Sequence, residues 1–252
     1  MAKILAFANQ KGGVAKTTTT LNLGVAFQEL GRRVLAVDLD PQSNLTMSLG
    51  LDPETVETSV YDVLVNHAGI EQAIMHGEID TVVSNIDLAG AEIALSSLIG
   101  RERVLSRGLL EIADQYDYIF IDTPPSLGLL TINAFTAADA VIVPVQCEYL
   151  SLRGLAQLKR TLELVRENLN PSVHIAGILP TMYDSRTVHG QEAVDILRSS
   201  FGELVFDTII SKTIKFAEAP VKGESVLKYA PNSEAAKLYR RLAKEVLNGK
   251  KI

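Results

Sequence analysis

Two lysines bracket a small-residue loop in Gln10-Lys11-Gly12-Gly13-Val14-Ala15-Lys16-Thr17-Thr18, placed after the apolar run Lys3 to Ala8 and before a helical pattern that opens at Thr17. That arrangement suits an anion. Small residues let backbone N–H groups approach phosphate oxygens, and a helix N-terminus adds a favourable dipole. Lys16 would then reach the β- and γ-phosphates of a nucleotide, and the Thr17 hydroxyl would hold Mg²⁺. A glycine turn joining strand to helix would explain Gly12-Gly13 but not the Lys-Thr pair. The outer positions of the common G-x-x-x-x-G-K-[ST] pattern are here Gln10 and Ala15.

Three carboxylates close apolar runs. Asp38 and Asp40 follow the run from Arg33, and strand alternation puts both on one side at the carboxyl end, where open α/β sheets hold their ligands. Two carboxylates beside a magnesium nucleotide can position water and shape the metal's outer shell. Asp122 closes Tyr118-Ile119-Phe120-Ile121 and is followed by Thr123-Pro124-Pro125-Ser126, the arrangement in which a carboxylate meets Mg²⁺ directly or through water. A solvated Asp-Pro turn and a helix-capping aspartate are the bland alternatives.

These groups need a scaffold, and the pattern supplies one. Continuous apolar runs at 3–8, 33–38, 117–122, 140–145, 174–181 and 204–210 read as buried parallel strands. Helical spacing at 17–30, 102–115, 152–168, 188–199 and 233–247 alternates with them, which predicts a doubly wound α/β fold with a mostly parallel sheet and helices on both faces. The whole chain, 1–252, reads as one domain, with an irregular insertion over about 41–100. With 47% apolar and 21% charged residues the composition is globular. No run approaches the roughly 20 apolar residues of a membrane span, and Met1 precedes the first strand by two residues, so a soluble cytoplasmic protein is expected.

The loop resembles the deviant Walker A motif, K-G-G-x-x-K-[ST], of the ParA/MinD ATPases. Asp38-Leu39-Asp40-Pro41-Gln42-Ser43-Asn44 is similar to that family's D-x-D-P-Q-G-N segment, and Tyr116-Asp117-Tyr118-Ile119-Phe120-Ile121-Asp122-Thr123-Pro124-Pro125-Ser126 to its Walker B strand. The resemblance continues through Val143-Pro144-Val145-Gln146-Cys147-Glu148, Met182-Tyr183-Asp184-Ser185-Arg186-Thr187 and Ala217-Glu218-Ala219-Pro220, and is nearest to the short, Soj-type ParA proteins that segregate chromosomes and plasmids. It implies a Mg²⁺-dependent P-loop ATPase of weak intrinsic activity that binds ATP and ADP, forms an ATP-sandwich homodimer, and holds double-stranded DNA nonspecifically on the nucleoid. A ParB-like partner would stimulate hydrolysis. It further implies that Lys11 crosses the dimer interface to the partner's nucleotide, that Asp40 orients the attacking water with support from Asp38, and that Arg186 contributes to DNA binding. Ile210-Ser211-Lys212-Thr213 stands where relatives carry I-P-R-N, so Ser211 and Thr213 are the candidates near the adenine. Ala15 and Ser43 replace family glycines; a methyl group at Ala15 restricts the loop if φ must be positive.

Rival readings leave sequence traces. A MinD-like membrane ATPase would need its last helix for the bilayer, and Leu238, Leu242 and Val246 do form a stripe, although packing on the chain's own core is the commoner use. One cysteine, Cys147, cannot supply the paired thiolates of an iron–sulfur relative. A ParA-like ATPase that positions another cargo shares the nucleotide motifs. The net charge of -6 argues against nucleic acid only until it is divided: residues 205–252 hold ten basic and five acidic side chains. Lys212, Lys215, Lys222, Lys228, Arg240 and Arg241 could form a DNA-facing patch, or an evenly solvated surface.

Overall fold

The computed structural model describes residues 1–147 and 152–249. In chain order the elements are β1 (Lys3–Phe7), α1 (Lys16–Glu29), β2 (Val34–Asp38), α2 (Asn44–Ser48), α3 (Val60–Val65), β3 (Ile74–Met75), β4 (Asp80–Val82), α4 (Ala91–Leu95), α5 (Val104–Leu110), β5 (Tyr118–Asp122), α6 (Leu129–Ala137), β6 (Ala140–Gln146), α7 (Leu152–Asn168), β7 (His174–Thr181), α8 (Val188–Phe201), α9 (Lys215–Val221), α10 (Val226–Tyr229) and α11 (Glu234–Asn248).

The strands form one sheet in the order β3-β4-β2-β5-β1-β6-β7, parallel throughout except for the β3–β4 pair. Both faces are covered, which is why the central strands read as unbroken apolar runs and not as alternations. Leu35, Val37, Ile119, Ile121 and Val143 pack with Leu105, Phe135 and Leu158 on one side. Phe7, Phe120 and Ile142 pack with Leu23, Phe27 and Tyr239 on the other. Phe27 meets Phe120 edge to face at 5.2 Å between centroids.

α11 shows the fate of the C-terminal stripe. Its Ala235, Tyr239, Leu242, Ala243 and Val246 are buried in the core cluster that also holds Leu21, Leu23 and Phe27 of α1, and the Tyr239 hydroxyl sits 3.2 Å from Thr19 Oγ1. The stripe is therefore covered by the chain itself. Among the described residues no helix is long and apolar enough to cross a membrane.

Two expectations, the strand at 204–210 and the helix at 102–115, need correction. The run 204–210 is not a strand: the N–H groups of Phe206 and Ile210 donate to the Ile178 and Pro180 carbonyls, but those of Asp207 and Thr208 donate to the Glu245 carboxylate on α11. The segment follows β7 as isolated bridges only. The irregular stretch 41–100 holds short elements, of which β4 pairs with β2 and, with β3, extends the sheet. The helix expected over 102–115 is the seven-residue α5, preceded by a 3₁₀ turn at Arg101–Arg103.

Candidate functional site

The strand β1 delivers the chain at the carboxyl edge of the sheet, and the loop after it turns into α1 without any side-chain cap. The N-cap is Ala15, its side chain accepts nothing, and no acidic residue lies in the first turn. A helix start left this way keeps amide donors and the positive end of its dipole for another anion. A Cβ built at Gly12 or Gly13 would meet nothing within 4 Å, so the loop backbone faces open space. That space is a cleft of about 380 Å³ lined by the loop residues Gly12, Gly13, Ala15, Lys16, Thr17 and Thr18, and opposite them by Asp40 and Gln42 among others.

Beneath the loop the charges converge. Thr17 Oγ1 donates to Asp122 Oδ2 at 2.6 Å. Lys16 is almost wholly buried, and desolvation lowers its pKa against the opposing pull of Asp122 and Asp40. Asp122 is fully buried; desolvation first, then the neighbouring Asp38, pushes its carboxyl up to about 8 despite the Thr17 hydroxyl and Lys16. Asp38, also fully buried, is pushed up to about 6 by desolvation, partly countered by Thr46 and the Asp40 N–H. Its Oδ2 accepts the Thr46 N–H and hydroxyl at 2.9 and 2.8 Å, and its Oδ1 the Asp40 N–H at 3.2 Å. Asp38 thus ties the Asp40 turn to α2, while Asp40 itself reaches the cleft wall.

Three aspartates, a buried lysine and a hydroxyl around an open, uncapped helix start fit a magnesium nucleotide: the cation would favour the ionised forms of Asp38 and Asp122, which burial opposes, and the phosphates would answer Lys16. Val14 is buried, its carbonyl accepting the Thr181 hydroxyl at 3.0 Å, which fixes the loop to the end of β7. Lys11 is exposed and donates to Gln146 Oε1 at 2.8 Å within its own chain.

Ala15 (φ 69°) and Ser43 (φ 52°) both occupy the left-handed region. The methyl group at position 15 therefore does sit where the backbone favours glycine, and Ser43 adds a buried hydroxyl with no hydrogen-bond partner. Met182 (φ 52°) shares the conformation and lines the cleft. Gln42, Asn44, Pro125 and Met182, also wall residues, stand within the segments that carry the resemblance, whereas Ser48 acquires its place only by folding.

The remaining candidates scatter. Ser211 and Thr213 are not among the cleft-wall residues; Ser211 bridges to Tyr183, and the Thr213 hydroxyl accepts the Lys215 N–H. Arg186 is exposed and paired with Asp184, and Lys212, whose N–H donates to the Tyr183 carbonyl, stands beside the same turn. Lys215 lies 5.6 Å from the Tyr229 ring centroid and Lys228 3.1 Å from Glu224. Lys222 and Arg241 are exposed. Arg240 is paired as well: its Nε and Nη2 hold Glu29 at 2.6 and 2.8 Å, clamping α11 to the end of α1. The segment's Glu148 lies outside the described residues.

Residues 2–175 match a family model described as an AAA domain. The sporulation initiation inhibitor protein Soj of Bacillus subtilis is 48% identical, over 98% of this chain and 98% of its own. The chromosome partitioning protein ParA of Caulobacter vibrioides is 43% identical, over 98% of this chain and 94% of its own. A cobyrinic acid a,c-diamide synthase of Mycobacterium smegmatis, solved with ADP and magnesium, is 42% identical with a TM-score of 0.88, covering 100% of this chain and 98% of the other.

Proposed function

Since the chain belongs to the ParA/Soj family of partition ATPases, we propose that it binds ATP and ADP with Mg²⁺ in the cleft above α1, dimerises around two ATP molecules, and holds DNA nonspecifically in that state. The observation that carries the reading is the uncapped start of α1 with Lys16 buried beside it and Thr17 bonded to Asp122. The Gly12, Gly13 and Lys16 backbone and the Lys16 ammonium would take the phosphates. Thr17 and Asp122 would hold the metal, with Asp38 behind them. Mg²⁺, when bound, would neutralise charge on the phosphates as it develops.

Asp40, at the cleft wall, would orient the attacking water, and Asp38 would hold Asp40 in place through its main chain. Lys11 would exchange Gln146 for the partner's phosphate when two subunits close in an isologous dimer. A dimer joins the basic turns of two chains, and affinity for DNA rises with the number of phosphate contacts. Hydrolysis, slow by itself, would be stimulated by a ParB-like protein, and loss of the γ-phosphate would open the dimer and release DNA. The chain would then reside on the nucleoid in the cytoplasm, its cargo being the chromosome or a plasmid.

An ATP-dependent amidation, the activity naming the M. smegmatis relative, has less support. Drawing ammonia from an amide donor calls for a reactive thiol. Cys147, the single cysteine, is buried and its thiol is pushed up to about 11 by desolvation.

Co-sedimentation with DNA, using ATP, ADP or no nucleotide and liposomes in parallel, tests the proposal. DNA binding only with ATP is expected. Binding to liposomes in place of DNA would overturn it.

A further inference from the structure

The turn after β7 presents a guanidinium that is exposed and yet engaged. The Arg186 side chain is 85% exposed, and its Nε and Nη2 stand 2.9 and 2.7 Å from Asp184 Oδ1 and Oδ2. This is the parallel, two-bond geometry by which arginine takes a carboxylate or a phosphate. The carboxylate is aimed by the backbone independently of the arginine side chain: Asp184 Oδ1 also accepts the Arg186 N–H at 3.0 Å, and the Asp184 carbonyl accepts both the N–H and the hydroxyl of Thr187. Such a turn is the ordinary local bonding of an aspartate two residues ahead of the amide it accepts.

Fold stability does not account for the pair. Ion pairs this exposed contribute little to holding a chain folded, because water screens them and two side chains must be ordered. Arg186 and Lys212 also help keep the Asp184 carboxyl far below the usual carboxylate range, so the aspartate is ionised at any pH of interest. What the pair does alter is the field outside. An arginine already matched by a carboxylate offers a passing phosphate a neutral dipole and only its remaining Nη1 edge.

We propose that Asp184 is an intrachain competitor for the DNA phosphate at Arg186, occupying the Nε/Nη2 edge of the guanidinium that a phosphate would otherwise take. The inference rests on the proposed reading of Arg186 as a DNA contact. It assigns Asp184 the task of holding DNA affinity low, so that two subunits are needed to bind and loss of one suffices to release. The tether of two residues makes the carboxylate a permanent rival, whereas a phosphate must arrive from solution.

The test compares the unaltered chain with Asp184→Asn, Arg186→Ala and the double variant, by titrating nonspecific double-stranded DNA with ATP present over a range of salt. Asn retains an oxygen for the Arg186 N–H and so keeps the turn while removing the charge. Asp184→Ser, which also keeps an acceptor, guards against an effect of the amide, and thermal melts establish that each variant is folded. Asp184→Asn is expected to raise DNA affinity about three- to tenfold and to steepen the salt dependence by roughly 0.9 per arginine released, about 2 for a dimer. The double variant should bind like Arg186→Ala alone. If Arg186→Ala weakens binding while Asp184→Asn and Asp184→Ser leave affinity and salt slope unchanged, the competitor role is overturned and the DNA reading stands. If Arg186→Ala itself changes nothing, the DNA reading of that residue fails. A double variant that binds more tightly than Arg186→Ala would mean that Asp184 repels DNA by charge alone, which also overturns the inference.

Discussion

Asp38 and Asp122 are register partners on the neighbouring parallel strands β2 and β5, and both are sealed from solvent. Burial raises the proton affinity of both and the Asp38 charge raises that of Asp122 further, and they divide the work by what else they touch. Asp122 meets the Thr17 hydroxyl below the loop, and Asp38 meets the main chain of Thr46 and Asp40.

This division orders the aspartate variants. Asp40→Ala should retain ATP affinity within about threefold and lose hydrolysis by roughly 10²-fold or more, since positioning of the nucleophile is removed while the phosphate cradle remains. Asp38→Asn should slow turnover less, by loosening the Asp40 turn. Phosphate release assays beside nucleotide titrations check both, and unchanged turnover in Asp40→Ala would remove it from the mechanism.

Lys16→Ala should abolish nucleotide binding. The buried ammonium is the cation placed at the loop, and the aspartates it offsets would be left facing the phosphates. Calorimetry showing ordinary ADP affinity in this variant would refute the assignment.

Ala15→Gly and Ser43→Gly should each stabilise the chain. A side chain in the left-handed region is unfavourable by about 1 kcal/mol relative to glycine, partly offset by glycine's larger unfolded-state entropy, so a net gain of about 0.5 kcal/mol each is expected. Ser43→Gly also removes the orphaned hydroxyl. Urea midpoints measure the gain, and a loss in either variant would contradict the conformational argument.

Arg240→Ala should lower stability by about 1 kcal/mol, the upper range for a well-aligned, partly exposed arginine pair, and leave DNA affinity where it was. Weaker DNA binding with unaltered stability would return Arg240 to the DNA surface.

Cys147 should resist thiol reagents at pH 9 until the chain unfolds. Its folded pKa of about 11 lies above the unfolded value, so the folded state favours the protonated thiol. The stability this group contributes is full below the unfolded pKa and is lost as pH rises through about 11. A rate of modification at pH 9 that is the same with and without denaturant would show an accessible thiolate.

Much of this protein was settled along the chain. The phosphate loop, the three aspartates and the alternation of apolar runs with helical spacing depend on near neighbours, since a loop between strand and helix and a carboxylate at a strand end are local arrangements. The strand order, which sets Asp38 beside Asp122, was not local, because register depends on pairings between residues far apart in sequence. Nor was the fate of 204–210, whose β-rich pattern loses its ladder to Glu245 on a helix that comes later in the chain. Charge shows the same limit most plainly. Counting found a basic C-terminal segment, but only the tertiary structure sorted it: Arg240 clamps Glu29, Lys228 meets Glu224, and Lys222 and Arg241 remain exposed. An ionic side chain acts through whatever lies within a few ångströms, and for a long, flexible cation that neighbour is chosen by the fold.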